Sequence, residues 1–208
     1  MAASFLTLTT GIEHETEARR SRFICAVAPA RTVEEAAAFI AERRRLHPGA
    51  THNCTAYLIG QRLRKGDDDG EPGGTAGTPM VQALAGRGFD DVVAVVTRYF
   101  GGILLGAGGL VRAYGSAVTE TLDRADPVRM VPAKLVRVSV DHDQAGRVEN
   151  DLRASRHPVH EVGYGQAVDF SVAVADDELD AFADWVATLT SGRATVVVAA
   201  DIHVPEPV

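Results

Sequence analysis

Three groups of residues have the types and spacing to do chemistry. The first is glycine-rich: Gly101, Gly102, Gly106, Gly108 and Gly109, with Arg98 before them and Arg112 after them. A strand that ends in a glycine turn and opens a helix aims several free N–H groups at one spot. That spot suits an anion, because the first N–H groups of a helix have no internal partner and the helix dipole is positive there. Arg98 and Arg112 can lean toward it and grip a phosphate, or they can pair with nearby acids. The pattern is neither G-x-G-x-x-G nor a P-loop, since no Gly-Lys-Ser/Thr follows. The same glycines would also serve tight turns and close strand–helix packing. The second group is Asp67, Asp68, Asp69 and Glu71, with Thr75 nearby. Clustered carboxylates and a hydroxyl suit a hard cation, but the EF-hand glutamate is missing, and no metal or cofactor is expected. The third is His52 and Cys54, two apart on a predicted strand and so on one face. They can act as base and nucleophile, or as a hydrogen-bonded histidine beside a buried thiol. Tyr57, Tyr99 and Phe100 would stack bases if exposed and belong to the core otherwise. The other histidines are scattered and show no metal-site spacing.

The elements that must position these groups are partly legible. Val92–Val96 is a continuous apolar run, as in a strand buried on both faces. A helix opening at Gly106–Gly109 would bury Leu110, Tyr114, Val118 and Leu122. Short strands are predicted for 5–9, 12–18, 21–28 and 51–59. Thr32-Val33-Glu34-Glu35 reads as a capping box, starting a helix that buries Ala36, Phe39, Ile40 and Leu46 and stops at Pro48-Gly49. Arg62–Gly66 reads as a charged turn leading into the acidic loop 67–77, and Pro79 suits the first turn of a further helix. The two prolines at 126–132 predict a linker. Beyond it, strand, helix, strand, strand, helix and strand follow in order. The second helix there is capped by Asp176, buries Leu179, Phe182, Val186 and Leu189, and ends at Gly192; the last strand is Thr195–Ile202. This β-α-β-β-α-β order is the ferredoxin-like split βαβ arrangement.

Composition narrows the classes. Apolar residues make up 46% and charged residues 24% of 208 residues, ordinary for a globular protein with a core. The longest apolar runs fall far short of the roughly 20 residues of a membrane span, and no signal peptide is expected. The two cysteines, Cys25 and Cys54, have neither C-x-x-C nor zinc spacing, which predicts a reduced, cytoplasmic protein. Residues 1–130 hold 15 Lys+Arg and 15 Asp+Glu, whereas residues 131–208 hold 6 and 13, so the net charge of −7 resides in the second segment. A broad basic surface for indiscriminate nucleic-acid binding is excluded, while a local arginine patch is not.

Three motifs together resemble the IMPACT/YigZ family: His47-Pro48-Gly49-Ala50-Thr51-His52-Asn53-Cys54-Thr55-Ala56-Tyr57, Asp68-Asp69-Gly70-Glu71-Pro72-Gly73-Gly74-Thr75-Ala76-Gly77-Thr78-Pro79, and the stretch 92–115. The resemblance implies an α+β protein. A ribosomal protein S5 domain 2-like domain over 1–128 would precede a ferredoxin-like domain over 134–204 that resembles an elongation factor G module. It also implies a link to translation regulation, because the eukaryotic relatives bind an activator of a stress-response kinase. Leu104 departs from the family, since many members carry a lysine in the corresponding Gly-Gly-x-Lys-Leu-Gly. The expected function is a non-enzymatic binding or regulatory protein linked to translation. It would hold RNA or a ribosome-associated, phosphate-bearing partner between the 67–77 loop and the 98–112 turn. The alternatives are a hydrolase or transferase acting on a small phosphorylated or acyl substrate through His52, Cys54 and the 67–71 acids, and a protein–protein adaptor.

Overall fold

The computed structural model describes residues 3–206 and divides into two compact units, Phe5–Arg129 and the chain from Met130 onward together with the residues before Phe5. Each is a mixed α+β unit. The first contains β1 (Phe5–Thr7), β2 (Ile12–Ala18), β3 (Ser21–Pro29), α1 (Val33–Leu46), β4 (His52–Ile59), β5 (Leu63–Asp67), α2 (Gly77–Gly86), β6 (Val92–Tyr99) and α3 (Ala107–Leu122). Its sheet has the order β2-β3-β6-β4-β5, with every neighbouring pair antiparallel. β6 lies at the centre. Val92, Ala94 and Val96 join the cluster that α2 and α3 cover, and Val93 joins the smaller cluster under α1. A sheet covered on both faces needs apolar residues at consecutive positions, which is why this run does not alternate. Tyr114 of α3 sets its ring edge-on to Phe23 of β3, with centroids 5.2 Å apart. Such a pair is worth about 0.5–1.5 kcal/mol beyond its buried area.

Thr32 caps α1 as its sequence predicts, its Oγ1 accepting the N–H of Glu35. The Glu35 carboxylate takes the N–H of Arg31, one residue upstream of the reciprocal capping-box position. The apolar stripe of α1 ends at Ile40, and Leu46 is 56% exposed. In place of Leu46, Arg43 turns inward toward Glu13 and His47. The predicted charged turn at 62–66 is instead mostly the strand β5, at the open edge of the sheet and exposed along its whole length. Charged side chains on an edge strand discourage pairing with other chains. Two glycines fix this edge strand against the helix α2. A Cβ on Gly66 would lie 2.6 Å from the backbone of Gly77, and one on Gly77 would lie 2.5 Å from the Asp67 nitrogen.

The second unit contains β7 (Val128–Val140), α4 (His142–Ala154), β8 (Val159–Tyr164), β9 (Val168–Val174), α5 (Leu179–Thr190) and β10 (Thr195–Pro205). Its strand order β10-β7-β9-β8, antiparallel throughout, is the ferredoxin-like arrangement. Val136, Val138, Phe170 and Val172 of the sheet pack with Val148, Leu152, Phe182 and Val186 of the two helices. Two local expectations are corrected. Pro132 does not mark a linker but sits inside β7 opposite His203, since its fixed φ is compatible with extended backbone and only a donor is lost. Asp176 opens a single 3₁₀ turn, Asp176–Glu178, and faces Lys134 rather than capping α5. Ser191 in the left-handed region and the Gly192 N–H bonded to the Ala187 carbonyl close α5. Among the described residues no helix is long and apolar enough to cross a membrane.

Candidate functional site

The acidic loop and the glycine turn meet over one face of the first unit's sheet, through the side chains of β4 and β6. Period-2 alternation places Arg98 on the same face as Val92, Ala94 and Val96, and places His52 beside it, opposite in the β4–β6 register. Arg98 is 6% exposed at its side chain and Glu71 is 4% exposed, and Nη1 of Arg98 donates to Glu71 Oε1 at 2.7 Å. The hydroxyl of the fully buried Tyr114 donates to the same oxygen at 2.7 Å. Ser21, also fully buried, accepts from Arg98 Nη2 and from the Gly101 N–H. The Arg98 guanidinium carbon lies 5.5 Å from the ring centroids of both Phe23 and Phe100. Its Nε is a buried donor without a partner among the described residues. A buried ion pair, a tyrosine and two rings therefore hold one guanidinium in place.

Asp68 and Asp69 do structural work. Asp68 accepts the N–H groups of Gly74, Ala76 and Gly77, and so caps α2, whose own cap residue Ala76 has no side-chain acceptor. Burial pushes the Asp68 carboxyl up, but the three N–H donors outweigh it and hold the group below the usual carboxylate range. Asp69 accepts from the Asn53 N–H at 2.6 Å and from Arg44 at 3.2 Å, and its own N–H donates to Asp67. Thr75 donates its hydroxyl to the Pro72 carbonyl. Of the four clustered acids only Glu71 reaches the cleft.

Cys54 and His52 share a face, as their spacing requires, but they differ in access. The Cys54 thiol is fully buried and donates to the Asp68 carbonyl. Burial pushes its pKa up to about 12, so it is neither ionised nor reachable, and the nucleophile reading fails. His52 is half-buried, and its Nδ1 lies 2.8 Å from the Asp69 carbonyl oxygen. A carbonyl only accepts, so in the neutral ring Nδ1 carries the proton and Nε2 presents a lone pair. Nε2 lies 3.9 Å from Glu71 Oε2. Among the described residues no donor occupies that carboxylate oxygen.

These groups floor a cleft of about 400 Å³, walled by Thr51, Pro72, Phe100, Leu104, Leu105, Gly106, Ala107 and Leu110. Phe100 is 46% exposed and Leu104 is 79% exposed, and both stand at its rim. Gly106, with φ +72°, precedes α3, and the first helical bond runs from the Leu110 N–H to the Gly106 carbonyl. The N–H groups of Ala107, Gly108 and Gly109 thus have no intrahelical acceptor beside the cleft. Gly101 is fixed by packing, since a Cβ there would lie 2.0 Å from the Arg20 carbonyl oxygen. Gly102 (φ +84°) supplies the turn, and Gly109 packs on Leu105. Arg112 does not join Arg98. It is exposed and lines a separate groove with Glu17, Arg19 and Glu120. Tyr57 is buried, and Tyr99 is partly buried with its hydroxyl against His47, which leaves Phe100 as the exposed ring. The second unit has a larger groove, about 540 Å³, beside Trp185 and Phe182, where Arg156 and Glu178 pair with each other.

Sequence reasoning missed Ser21 and the hydroxyl of Tyr114. Their partners lie 77 and 43 residues away, and no local pattern connects them.

Residues 19–122 match the family model described as the Impact N-terminal domain, and residues 138–193 match a domain of unknown function, DUF1949. The chain is 43% identical over 198 residues to "IMPACT family member YvyE" of Bacillus subtilis, covering 94% of this chain and 91% of that one. It is also 43% identical over 138 residues to "IMPACT family member YigZ" of Escherichia coli, covering 64% and 67%. A solved structure titled "Crystal structure of an hypothetical protein" superposes with a TM-score of 0.76 at 33% identity, covering 96% of this chain and 99% of that one.

Proposed function

The chain belongs to the IMPACT family, a membership that supports a regulatory role linked to translation, and on that premise we propose that it works by binding rather than by catalysis, holding an unpaired nucleotide of RNA in the cleft between loop 67–77 and α3. The observation that carries this reading is the make-up of the cleft. Its floor is an ion pair already neutralised from within, its walls are apolar, an exposed ring stands at its rim, and a helix N-terminus with open N–H groups lies alongside. Unpaired bases are taken up by stacking on such rings, and a neighbouring phosphate is met by helix N–H groups. Arg98 is committed to Glu71 and Arg112 faces elsewhere, so phosphate attraction is weak. Duplex binding through a basic surface does not fit.

Fluorescence anisotropy with a labelled single-stranded octanucleotide and a duplex of the same sequence tests this. Phe100→Ala should weaken single-strand binding roughly 5- to 150-fold, the equivalent of about 1–3 kcal/mol per stacked base. Equal binding by wild type and Phe100→Ala, or a preference for duplex, would rule it out. A second reading rests on the rim itself. Phe100 and Leu104 at the rim, with Ile103 between them in sequence, are exposed apolar side chains for a protein partner to cover. Co-purification that survives nuclease treatment and is lost in Leu104→Asp would favour that adaptor role.

A further inference from the structure

Glu71 presents to the cleft one carboxylate oxygen that no donor fills among the described residues. Its Oε1 takes both the Arg98 and Tyr114 donors, whereas Oε2 faces His52 Nε2 at 3.9 Å. In the neutral ring the His52 proton is held at Nδ1 by the Asp69 carbonyl, which makes Nε2 an acceptor as well. Two acceptors therefore converge inside an apolar pocket. At 3.9 Å separation a single nitrogen bearing two hydrogens can reach both at ordinary lengths of about 2.9 Å. A carbonyl oxygen placed there would meet two acceptors and leave all three groups unsatisfied. Arg98 already balances the charge of Glu71, so an ammonium group would stand uncompensated among apolar walls, and a neutral –NH₂ fits best.

We propose that the cleft selects nucleobases that carry an exocyclic amino group and rejects those with a carbonyl at that position, through Glu71 Oε2 and His52 Nε2. This rests on the nucleotide-binding reading above and specifies which base edge it admits. The ligand chemistry is shared by free nucleotides and by unpaired residues of an RNA strand, and the geometry of the two acceptors is the same for both. Stacking on Phe100 is indifferent to base identity, since every base has a π-face. The discrimination resides in the two acceptors at the floor.

The test compares three probes that differ at C6 of the purine: adenosine monophosphate, purine riboside monophosphate without the amino group, and inosine monophosphate, whose carbonyl there is accompanied by a proton on N1. Binding of each is measured by calorimetry on the full chain and repeated with A-only and U-only octanucleotides. The adenosine form should bind roughly 5- to 100-fold more tightly than either analogue, the range expected for one two-point base contact. In His52→Leu that ratio should shrink toward unity while the fold is retained. In Glu71→Gln the amide oxygen must stay with Arg98 and Tyr114, which turns its NH₂ into the cleft. The preference should then reverse toward inosine monophosphate. Tight but equal binding of all three probes would overturn base selection and leave nucleotide binding standing. Failure of every probe and both oligonucleotides to bind would overturn both. Binding by octanucleotides alone, with the A over U preference intact, would identify RNA as the source of the base.

Discussion

The Arg98–Glu71 pair should behave as a buried pair and not as a surface one. The perturbation is Arg98→Met, which keeps an unbranched apolar stem and removes the charge. At 2.7 Å and an effective dielectric of about 20, two unit charges attract by about 6 kcal/mol. Desolvation offsets much of that, but losing one partner leaves a carboxylate that is 4% exposed with only Tyr114 to serve it. The expected cost is about 3–5 kcal/mol, a large share of the 5–15 kcal/mol of a typical domain. Glu71→Gln should cost less, because the amide oxygen keeps both the Arg98 and the Tyr114 hydrogen bonds and only the charge is lost. The double variant Arg98→Met/Glu71→Gln should regain much of the loss, since no bare charge remains. Hydrogen exchange of the β6 amides, residues 92–99, reads this locally as the opening free energy of the central strand. A cost below about 1 kcal/mol for Arg98→Met, the range of exposed pairs, would refute the reasoning.

Three further outcomes follow from the structure. Leu104→Lys restores a cation at an exposed rim position, so single-strand RNA affinity should rise and its log–log salt slope should steepen by about 0.7; an unchanged slope would place Leu104 away from the bound phosphates. Cys25 and Cys54 are fully buried and both are pushed by burial to about 12, so neither should react with a thiol reagent in the native protein at pH 8, and rapid labelling of Cys54 would contradict its placement. His47 and His157 both have pKa values lowered, chiefly by burial, below the ordinary value of about 6.5. The unfolded chain therefore binds more protons than the folded one as pH falls below 6.5, and stability present at pH 7.5 should be partly lost by pH 5.5. His47→Gln and His157→Gln should each flatten that fall in the urea midpoint.

The elements that position the cleft were legible where side chains report burial. The apolar run of β6, the glycines before α3 and its Leu110–Tyr114–Val118–Leu122 stripe announce a buried strand feeding a helix. Alternation along β4 puts His52 and Cys54 on one face, whereas the register that sets Arg98 opposite His52 comes only from the fold. Arg112 was expected to lean toward the glycine turn and instead faces another groove. It lies two residues from both Leu110 and Tyr114, so helical periodicity turns it off the buried stripe. β5 was not readable, because Leu63-Arg64-Lys65-Gly66-Asp67 is exposed at every position and has no alternation to detect. Its extended state comes from pairing with β4 and from the Gly66–Gly77 approach. The acidic loop misled for a related reason. Sequence shows four carboxylates together, and only the fold shows that Asp68 caps a helix and Asp69 holds β4 and α1 while Glu71 alone turns into the cleft.

The most direct measurement is a backbone amide NMR titration of the full chain with a short single-stranded RNA. Shifts should concentrate at Thr51, His52, Glu71, Phe100 and Leu104–Leu110, and they should disappear in Phe100→Ala. Perturbations confined to the second unit or to the groove beside Arg112, or none at saturating RNA, would contradict the assignment of the cleft as the receptor.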